Sequence, residues 1–163
     1  MIDYDRKKTV DYARKWAYGR NPAYFNFDAL GGDCTNFASQ CLFAGVGVMN
    51  DTPEIGWFYR SLNSRAAAWT GVEYFYRFLL GNVEGIGDKT GPFAKEVSIS
   101  ELEIGDFVQF GRETGDFYHT PVVVGFVNGE PLLAAHSYDA FGRRLSSYSY
   151  ERLRCIHILG ARE

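Results

Sequence analysis

The stretch that decides the fold lies in the second half of the chain, where VVVGFV (Val122–Val127), NG (Asn128–Gly129) and LLAAHS (Leu132–Ser137) occur in succession. The two apolar runs are typical of β-strands, and an Asn-Gly pair between such runs is a strong signal for a tight hairpin turn. Residues 104–110 and 156–160 form two further short runs rich in β-forming residues. The pattern predicts an antiparallel sheet in the C-terminal half.

The first half of the chain has apolar residues at helical spacing instead. This spacing predicts helices over about Tyr4 to Tyr18, from Asp33 to about residue 46, and over about Thr70 to Leu80, with glycines at or near their ends. Helices followed by antiparallel strands predict an α+β fold in which the N-terminal helices pack on the C-terminal sheet.

Length and composition indicate one globular domain spanning residues 1–163. The chain has no internal repeat, low-complexity tract or linker-like stretch that would mark a boundary. It is 46% hydrophobic and 23% charged, as in ordinary globular proteins, but 17% of its residues are aromatic. Aromatic side chains in this number predict that some line a cleft, where sugar or peptide groups lie well against rings.

The charge pattern excludes some classes of partner. A formal net charge of −3 with scattered Lys and Arg gives no electrostatic footprint for nucleic acid, and no stretch is apolar enough to span a membrane. The N-terminal segment MIDYDRKKTVDY lacks the apolar region of a secretory signal. We therefore expect either a cytoplasmic protein or part of a longer exported one, and the sequence does not indicate an oligomeric state.

Cys34 is the candidate nucleophile among three cysteines. Their odd number and the absence of a C-x-x-C pair favour free thiols over a disulfide framework. In GGDCTNF (31–37), Asp33 is a good N-cap, which places Cys34 in the first turn of a helix, where the helix dipole favours the thiolate. The alternative is that Cys34 is a small buried residue of a capped helix, as free cysteines often are.

His119 is the candidate base, because it opens the predicted strand 120–126 after a glycine-rich, charged loop. His136 lies late in the next strand, so the hairpin predicts that the two imidazoles face each other as a base and the group that orients it. Asp139 is an alternative orienting residue, and the residues alone do not decide between it and His136. His157, between two isoleucines of the terminal run, is expected to have no catalytic role.

Several motifs in the same order resemble the NlpC-type and CHAP-type cysteine hydrolases of bacterial cell walls, which share a compact papain-like fold. They are DCTNF (33–37), GDFVQF (105–110) and the hairpin from His119 to His136. NPAY (21–24), the extended GGDCTNFASQC and HSYD (136–139) make the chain most similar, within that group, to the putative amidase domain family of Gram-positive bacteria. The resemblance covers nearly the whole chain.

This resemblance implies an amide hydrolase or peptidase with Cys34 as nucleophile, His119 as general base and His136 as third residue. It further implies a thioester intermediate, a peptidoglycan or related peptide amide as substrate, and neither a metal nor another cofactor. Asn36 departs from the group, which usually has Gly at that position. The thioester could also pass to an amine, so a transferase stays open.

The candidate substrate-binding residues are Asp33, Asn36, Gln40 and Trp57. Asn36 and Gln40 follow Cys34 on the predicted helix, where they would either bind substrate or form an exposed polar face. Trp57 would either shape the cleft or pack in the core.

Two other functions compete with this interpretation. The first is a zinc hydrolase that uses His119, His136 and Asp139, with Cys34 as a further ligand, although the spacing matches no compact zinc motif. The second is a catalytically idle papain-like module that binds cell-wall or peptide ligands in an aromatic groove.

Overall fold

The computed structural model describes residues 1–163 and contains four helices, nine strands and two short 3-10 turns. The helices are α1 (Arg6–Trp16), α2 (Cys34–Val46), α3 (Ala67–Thr70) and α4 (Val72–Gly81). The strands are β1 (Tyr59–Ser61), β2 (Ser64–Arg65), β3 (Gly91–Val97), β4 (Phe107–Gly111), β5 (Phe117–His119), β6 (Val122–Val127), β7 (Glu130–Ala135), β8 (Ala140–Arg144) and β9 (Arg152–Arg162). None of the four helices has both the length and the apolar composition needed to cross a membrane.

Seven of the strands form one antiparallel sheet, so the architecture is α+β. The strand order is β3-β9-β4-β6-β7-β8, and β5 adds to the end of β4 beside Phe110. β1 and β2 form a separate two-stranded ribbon. The hairpin predicted around Asn128–Gly129 is present as β6 and β7, and both turn residues have positive φ, at 50° and 80°, as a type I′ turn requires.

The long helix α2 lies in the centre of the domain and is buried along most of its length. Phe37, Ala38, Cys41 and Leu42 are the apolar residues of its contact with the sheet and the other helices. Gly45 allows α1 to approach closely, because a Cβ at this position would lie 2.3 Å from Thr9 Oγ1. The helix is therefore held on all sides, and its N-terminal residue has a fixed position.

The sheet buries apolar residues on both of its faces. Phe107, Val122 and Ile156 belong to the large core shared with the helices. Their chain neighbours Val108, Val123 and Cys155 point to the opposite face, where they form a smaller core with residues that include Phe110 and Leu145. We call these the helix face and the second face.

The structure differs from the sequence-based prediction in several places. β1, β2 and β5 were not predicted, and His119 ends β5 instead of opening the next strand, which begins at Val122. β3 and β8 were not predicted, because neither GPFAKEV nor AFGRR shows the alternation of a half-buried strand. The third helix is divided in two, since Gly71 is extended between α3 and α4. Leu145–Ser147 forms a 3-10 turn after β8 and covers the second face.

Candidate active site

Cys34 is the first residue of α2, and its side chain lies against the strand segment that carries His119. The residue is 8% exposed, and Sγ lies 3.7 Å from Thr35 Oγ1 and 4.0 Å from the carbonyl oxygen of Tyr118. A contact of 3.2 Å between the hydroxyls of Thr35 and Thr120 ties the helix to the same segment. The thiol is therefore next to the peptide group that joins Tyr118 to His119.

The environment of the thiol favours its protonated form. Burial raises the pKa of Cys34, and the nearby carboxylate of Asp33 acts in the same direction. Backbone N–H groups of Thr35 and Thr120, together with the Thr35 hydroxyl, lower the pKa of Cys34 by a smaller amount. The expectation that the helix start alone would give a thiolate is therefore wrong for this structure, because desolvation outweighs it.

Asp33 occupies the N-cap position, but its side chain does not cap the helix. Its Oδ1 accepts hydrogen bonds from Phe27 N at 2.8 Å and Asn36 Nδ2 at 2.9 Å, and its Oδ2 lies 2.5 Å from His136 Nδ1. The predicted cap is absent because these donors hold the carboxylate. The N–H groups of the first turn of α2 consequently have no side-chain cap.

His136 is buried between two helices and does not reach His119. Its Nε2 lies 2.8 Å from the carbonyl oxygen of Trp16, which can only accept, so this nitrogen carries a hydrogen. Its Nδ1 is occupied by Asp33, and the ring stacks on Phe37 at 3.9 Å between centroids. With both nitrogens engaged elsewhere, the imidazole has none left to orient His119, so the predicted third-residue contact is absent.

Asp139, the alternative third residue, is also engaged elsewhere. Its carboxylate accepts hydrogen bonds from Nη1 and Nη2 of Arg20 at 3.0 and 3.1 Å. The same guanidinium donates to Asp28. Neither candidate for the orienting role therefore contacts His119 in this structure.

His119 ends β5, directly opposite Phe110 of β4, and its imidazole faces a cavity. The ring lies near those of Phe110 and Tyr148, at 5.8 and 6.3 Å between centroids, and forms no hydrogen bond within the chain. Burial, assisted by the positive charge of Arg143, lowers the pKa of His119 to about 4. The imidazole is therefore neutral at pH 7 and able to accept a proton.

The cavity has a volume of about 510 Å³ and opens on the second face of the sheet. Nine residues line it: Phe110, Tyr118, His119, Ser137, Tyr138, Arg143, Ser147, Tyr148 and Ser149. Cys34 is not one of them, but it lies behind two of the walls. Its Sγ approaches the backbone of Tyr118, and the neighbouring Gly32 is so close to Ser137 that an added Cβ would lie 3.4 Å from the hydroxyl.

Two turns with left-handed backbone meet where Gly32, two residues before Cys34, approaches Ser137. Gly31 and Gly32 have φ values of 88° and 99°, and Ser137 and Tyr138 have values of 65° and 62°. Glycine adopts such angles freely, whereas two consecutive residues with side chains in this region are strained. Strain of this kind is often held at functional sites, and here it immediately follows His136.

The three other predicted substrate-binding residues, Asn36, Gln40 and Trp57, lie in the interior. Asn36 Nδ2 donates to Phe25 O at 3.0 Å and Asn36 Oδ1 accepts from Trp69 Nε1 at 3.0 Å. Gln40 accepts from the Tyr12 hydroxyl at 2.5 Å, and Trp57, which is fully buried, donates to Ser39 Oγ at 3.0 Å. These side chains and that of Asp33 have internal partners and no free surface for a substrate, so the prediction is corrected to a structural role. The exposed polar face considered for Asn36 and Gln40 is likewise absent.

The candidate zinc site is not assembled. No group of three or more His, Cys, Asp or Glu side chains is arranged so that it could hold a metal ion. His136 and Asp139, two of the proposed ligands, are bonded to Asp33 and Arg20 instead.

Sequence reasoning did not identify Arg143 and Tyr148 as site residues. Arg143 lies in β8 and Tyr148 directly follows the 3-10 turn, and neither element was predicted. The only available signal was the Arg143–Arg144 pair, which has no distinctive spacing.

The site therefore combines a cysteine at a helix start, a neutral histidine on an adjoining strand and an aromatic cavity in an α+β domain. The family model described as "Putative amidase domain" matches residues 3–159, and the chain belongs to this family. Membership indicates amide hydrolysis as the general activity.

A relative is known from Bacillus subtilis (strain 168), where it is called "Uncharacterized protein YhbB". It is 39% identical over 155 residues, which is 92% of this chain and 46% of the relative. The chain thus spans about half the length of the relative that it matches. No solved structure matches the chain significantly.

Proposed function

We propose that this protein is a cysteine-dependent amide hydrolase with a papain-like fold of the NlpC and CHAP type. The observation that carries the proposal is the position of the Cys34 thiol, 4.0 Å from the carbonyl of the Tyr118–His119 peptide. The imidazole of that histidine is neutral at pH 7 and has no hydrogen-bond partner in the chain. A nucleophile and an unoccupied base on adjoining elements are what acyl transfer requires.

The reaction begins with transfer of the Cys34 proton to His119. The sulfur attacks the carbonyl carbon of the amide, a C–S bond forms, and the carbonyl electrons move to oxygen. Collapse of this intermediate breaks the C–N bond, and His119 returns the proton to the leaving amine. Water, deprotonated by His119, then hydrolyses the thioester and restores the thiol.

The resting site holds a neutral thiol and a neutral imidazole. Both states follow from burial, which raises the pKa of Cys34 and lowers that of His119. No hydrogen bond joins the two side chains, and such contacts often tighten only when substrate binds. Proton transfer is therefore expected during attack on the substrate.

The start of α2 supplies donors for the negative oxygen of the tetrahedral intermediate. Because Asp33 does not cap the helix, the N–H groups of the first turn, including that of Cys34, are free of side-chain partners. Removing one such donor from an oxyanion site typically costs about 3–4 kcal/mol in the barrier.

The cavity supports a peptide-like substrate. Phe110, Tyr118, Tyr138 and Tyr148 line it, and the three serines provide hydroxyls between these rings. Aromatic walls with a few polar groups suit peptide and sugar backbones. We infer that the substrate is an amide of peptidoglycan or of a related peptide.

A second candidate is the catalytically idle binding module. It is favoured by the burial of the thiol, which is only 8% exposed and has a pKa raised by desolvation. In that case the cavity binds the same ligands, but Cys34 is never acylated.

The experiment combines amine release from peptidoglycan fragments and peptide amides with mass spectrometry of the Cys34 peptide. The variants are Cys34→Ser, His119→Gln and, as the matched control, Cys155→Ser, whose thiol lies in the small core of the second face. We expect hydrolysis and an acyl adduct on Cys34 in the parent protein and in Cys155→Ser. His119→Gln is expected to lower the rate by about 10²- to 10⁴-fold.

Two results would contradict the proposal. Hydrolysis by Cys34→Ser at an unchanged rate would exclude the thiol as nucleophile. Binding of the fragments without turnover or adduct, and with no faster alkylation of Cys34 than of Cys41 and Cys155, would favour the binding module.

A further inference from the structure

Arg143 lines the cavity beside His119, and part of its guanidinium makes no hydrogen bond within the chain. Arg143 Nε donates to Ser147 Oγ at 2.8 Å, and its Nη2 donates to Ser147 O at 2.9 Å. Its Nη1 has no partner in the chain. One side of the guanidinium is therefore fixed by the 3-10 turn, and the edge formed by Nη1 and Nη2 is left for a ligand with two oxygens.

Tyr148 adds a second unused polar group at the same wall. Its hydroxyl is buried and forms no hydrogen bond of good geometry, although the nearby Arg143 guanidinium opposes the rise in the pKa of Tyr148 that burial causes. The Arg143 guanidinium lies over the Tyr148 ring at 3.8 Å, which holds the two side chains against each other. A buried hydroxyl without a partner is costly, and a bound acceptor would remove that cost.

No acidic side chain lines the cavity, and Arg143 is its only permanent charge. One guanidinium matches the single charge of a carboxylate, whereas a phosphate dianion would leave a second negative charge in the cavity without a cation. The site is on the wall that carries His119, since the Tyr148 ring is 6.3 Å from the imidazole.

We propose that Arg143 and Tyr148 form a subsite for a free carboxylate, so that the preferred substrates carry a carboxylate close to the amide that is cleaved. This inference rests on the proposed function for its place in the reaction, but the carboxylate site itself is testable without turnover. Arg143 and Tyr148 bind and position the substrate, while Cys34 and His119 perform the chemistry.

Occupation of this subsite would also act on the base. The positive charge of Arg143 helps to lower the pKa of His119. A carboxylate bound to the guanidinium opposes that charge and raises the pKa of His119 towards its ordinary value. The imidazole would then accept the thiol proton more readily when the correct substrate is present.

The test compares two probes that differ only in charge, N-acetyl-dialanine and its C-terminal amide, and it uses the full chain with Cys34→Ala. Binding is measured by titration calorimetry, and protonation of His119 by NMR of its ring. We expect the free acid to bind at least about 10-fold more tightly than the amide, and only the acid to shift the titration of His119 upwards.

The matched variants are Arg143→Gln and Arg144→Gln. Arg144 is the next residue, lies outside the cavity and is paired at 3.8 Å with Glu130, so its substitution changes the net charge equally. Arg143→Gln should abolish the preference for the acid, and Arg144→Gln should keep it. With hydrolysable amides, Arg143→Gln should raise KM for acidic substrates more than it lowers kcat.

The inference is overturned by equal binding of acid and amide, by no binding of the acid at millimolar concentration, or by a preference that survives Arg143→Gln. Tighter binding of inorganic phosphate than of the acid would also overturn it, in favour of a phosphate site. These failures differ from failure of the proposed function, in which the acid binds as expected but no amide is hydrolysed by the parent protein.

Discussion

The polar side chains on the two faces of the sheet differ in whether they have hydrogen-bond partners within the chain. On the helix face, Asp33, Asn36 and His136 are buried and every polar atom of their side chains has a partner. On the second face, His119, Arg143 and Tyr148 line the cavity, and the His119 ring, the Nη1 group of Arg143 and the buried Tyr148 hydroxyl form no hydrogen bond within the chain.

This difference separates residues that build the site from residues that are available to a substrate. A buried group whose donors and acceptors are all engaged cannot hydrogen-bond a ligand. A group in a cavity without a partner is stabilised when a ligand supplies one. Asp33 precedes Cys34 in the chain, and the Tyr118–His119 peptide lies 4.0 Å from its sulfur, so nearness to the thiol does not distinguish the two sets. Their hydrogen bonds do.

The largest expected effect concerns the fully hydrogen-bonded residues of the helix face. His136→Gln removes the imidazole from Oδ2 of the buried Asp33 carboxylate and leaves that oxygen only Arg20 Nε, at 3.8 Å. Removing one partner of a buried charged pair typically costs about 3–5 kcal/mol in the free energy of unfolding. Urea denaturation at pH 7 measures this loss. The contact is 2.5 Å long and both side chains are 1% exposed, so solvent cannot replace the imidazole without rearrangement.

The matched control for that measurement is Asp139→Asn. It breaks a pair with Arg20 in which the carboxylate side chain is 30% exposed, and it should cost no more than about 1 kcal/mol. Equal losses in the two variants would show that burial does not distinguish these pairs. Asp139→Asn should also leave the rate of amide hydrolysis unchanged, because Asp139 does not contact His119.

An intermediate effect is expected for Asn36→Ala. The substitution leaves Trp69 Nε1 and the backbone carbonyl of Phe25 without partners and should cost about 1–3 kcal/mol. Thermal or urea unfolding measures it. Asn26→Ala is the control, because Asn26 is exposed and accepts one backbone hydrogen bond. Full stability of Asn36→Ala with a raised KM would instead restore Asn36 as a substrate-binding residue.

The smallest expected effect concerns His119, which has no partner within the chain, and it appears as a dependence of stability on pH. The pKa of His119 is lowered to about 4 in the folded protein, while an unfolded histidine has a pKa near 6.5. Between these values the unfolded chain binds a proton that the folded chain does not, so stability falls as the pH decreases from about 6.5 towards 4.

Comparison with His119→Gln isolates this contribution. Between pH 7 and pH 5, the parent protein should lose about 1–2 kcal/mol more than the variant, measured by urea denaturation at each pH. His136 and His157 are present in both proteins, so their contributions cancel. Parallel curves for the two proteins would mean that the His119 imidazole has an ordinary environment.

Much of the fold could be predicted because the strongest local signals were correct. The Asn128–Gly129 turn and the apolar runs beside it determine β6 and β7, and helical spacing with a terminal glycine determines α2. β3 and β8 lack such signals. They are strands because β3 pairs with the distant β9 and β8 pairs with its chain neighbour β7, and neither pairing leaves a period in the sequence.

The site was predictable only in part for a related physical reason. Motif order identifies Cys34 and His119 as the pair to examine, and the roles of both stay predictions. The sequence cannot show that the Asp33 side chain contacts His136, 103 positions away, instead of capping the start of α2. Nor can it show that Arg143 faces a cavity while Arg144 does not, because that depends on strand register.

The pairing of Ile2 with Ala161 has a consequence for handling the protein. Two backbone hydrogen bonds, at 2.7 and 3.1 Å, place the first and last few residues side by side. Along β9, Ala161 is eight residues from Leu153, which pairs with the cavity residue Phe110, and eight residues of strand span roughly 26 Å. An affinity tag, a surface tether or a fused domain attached at either end would therefore leave from one point, well away from the mouth of the cavity.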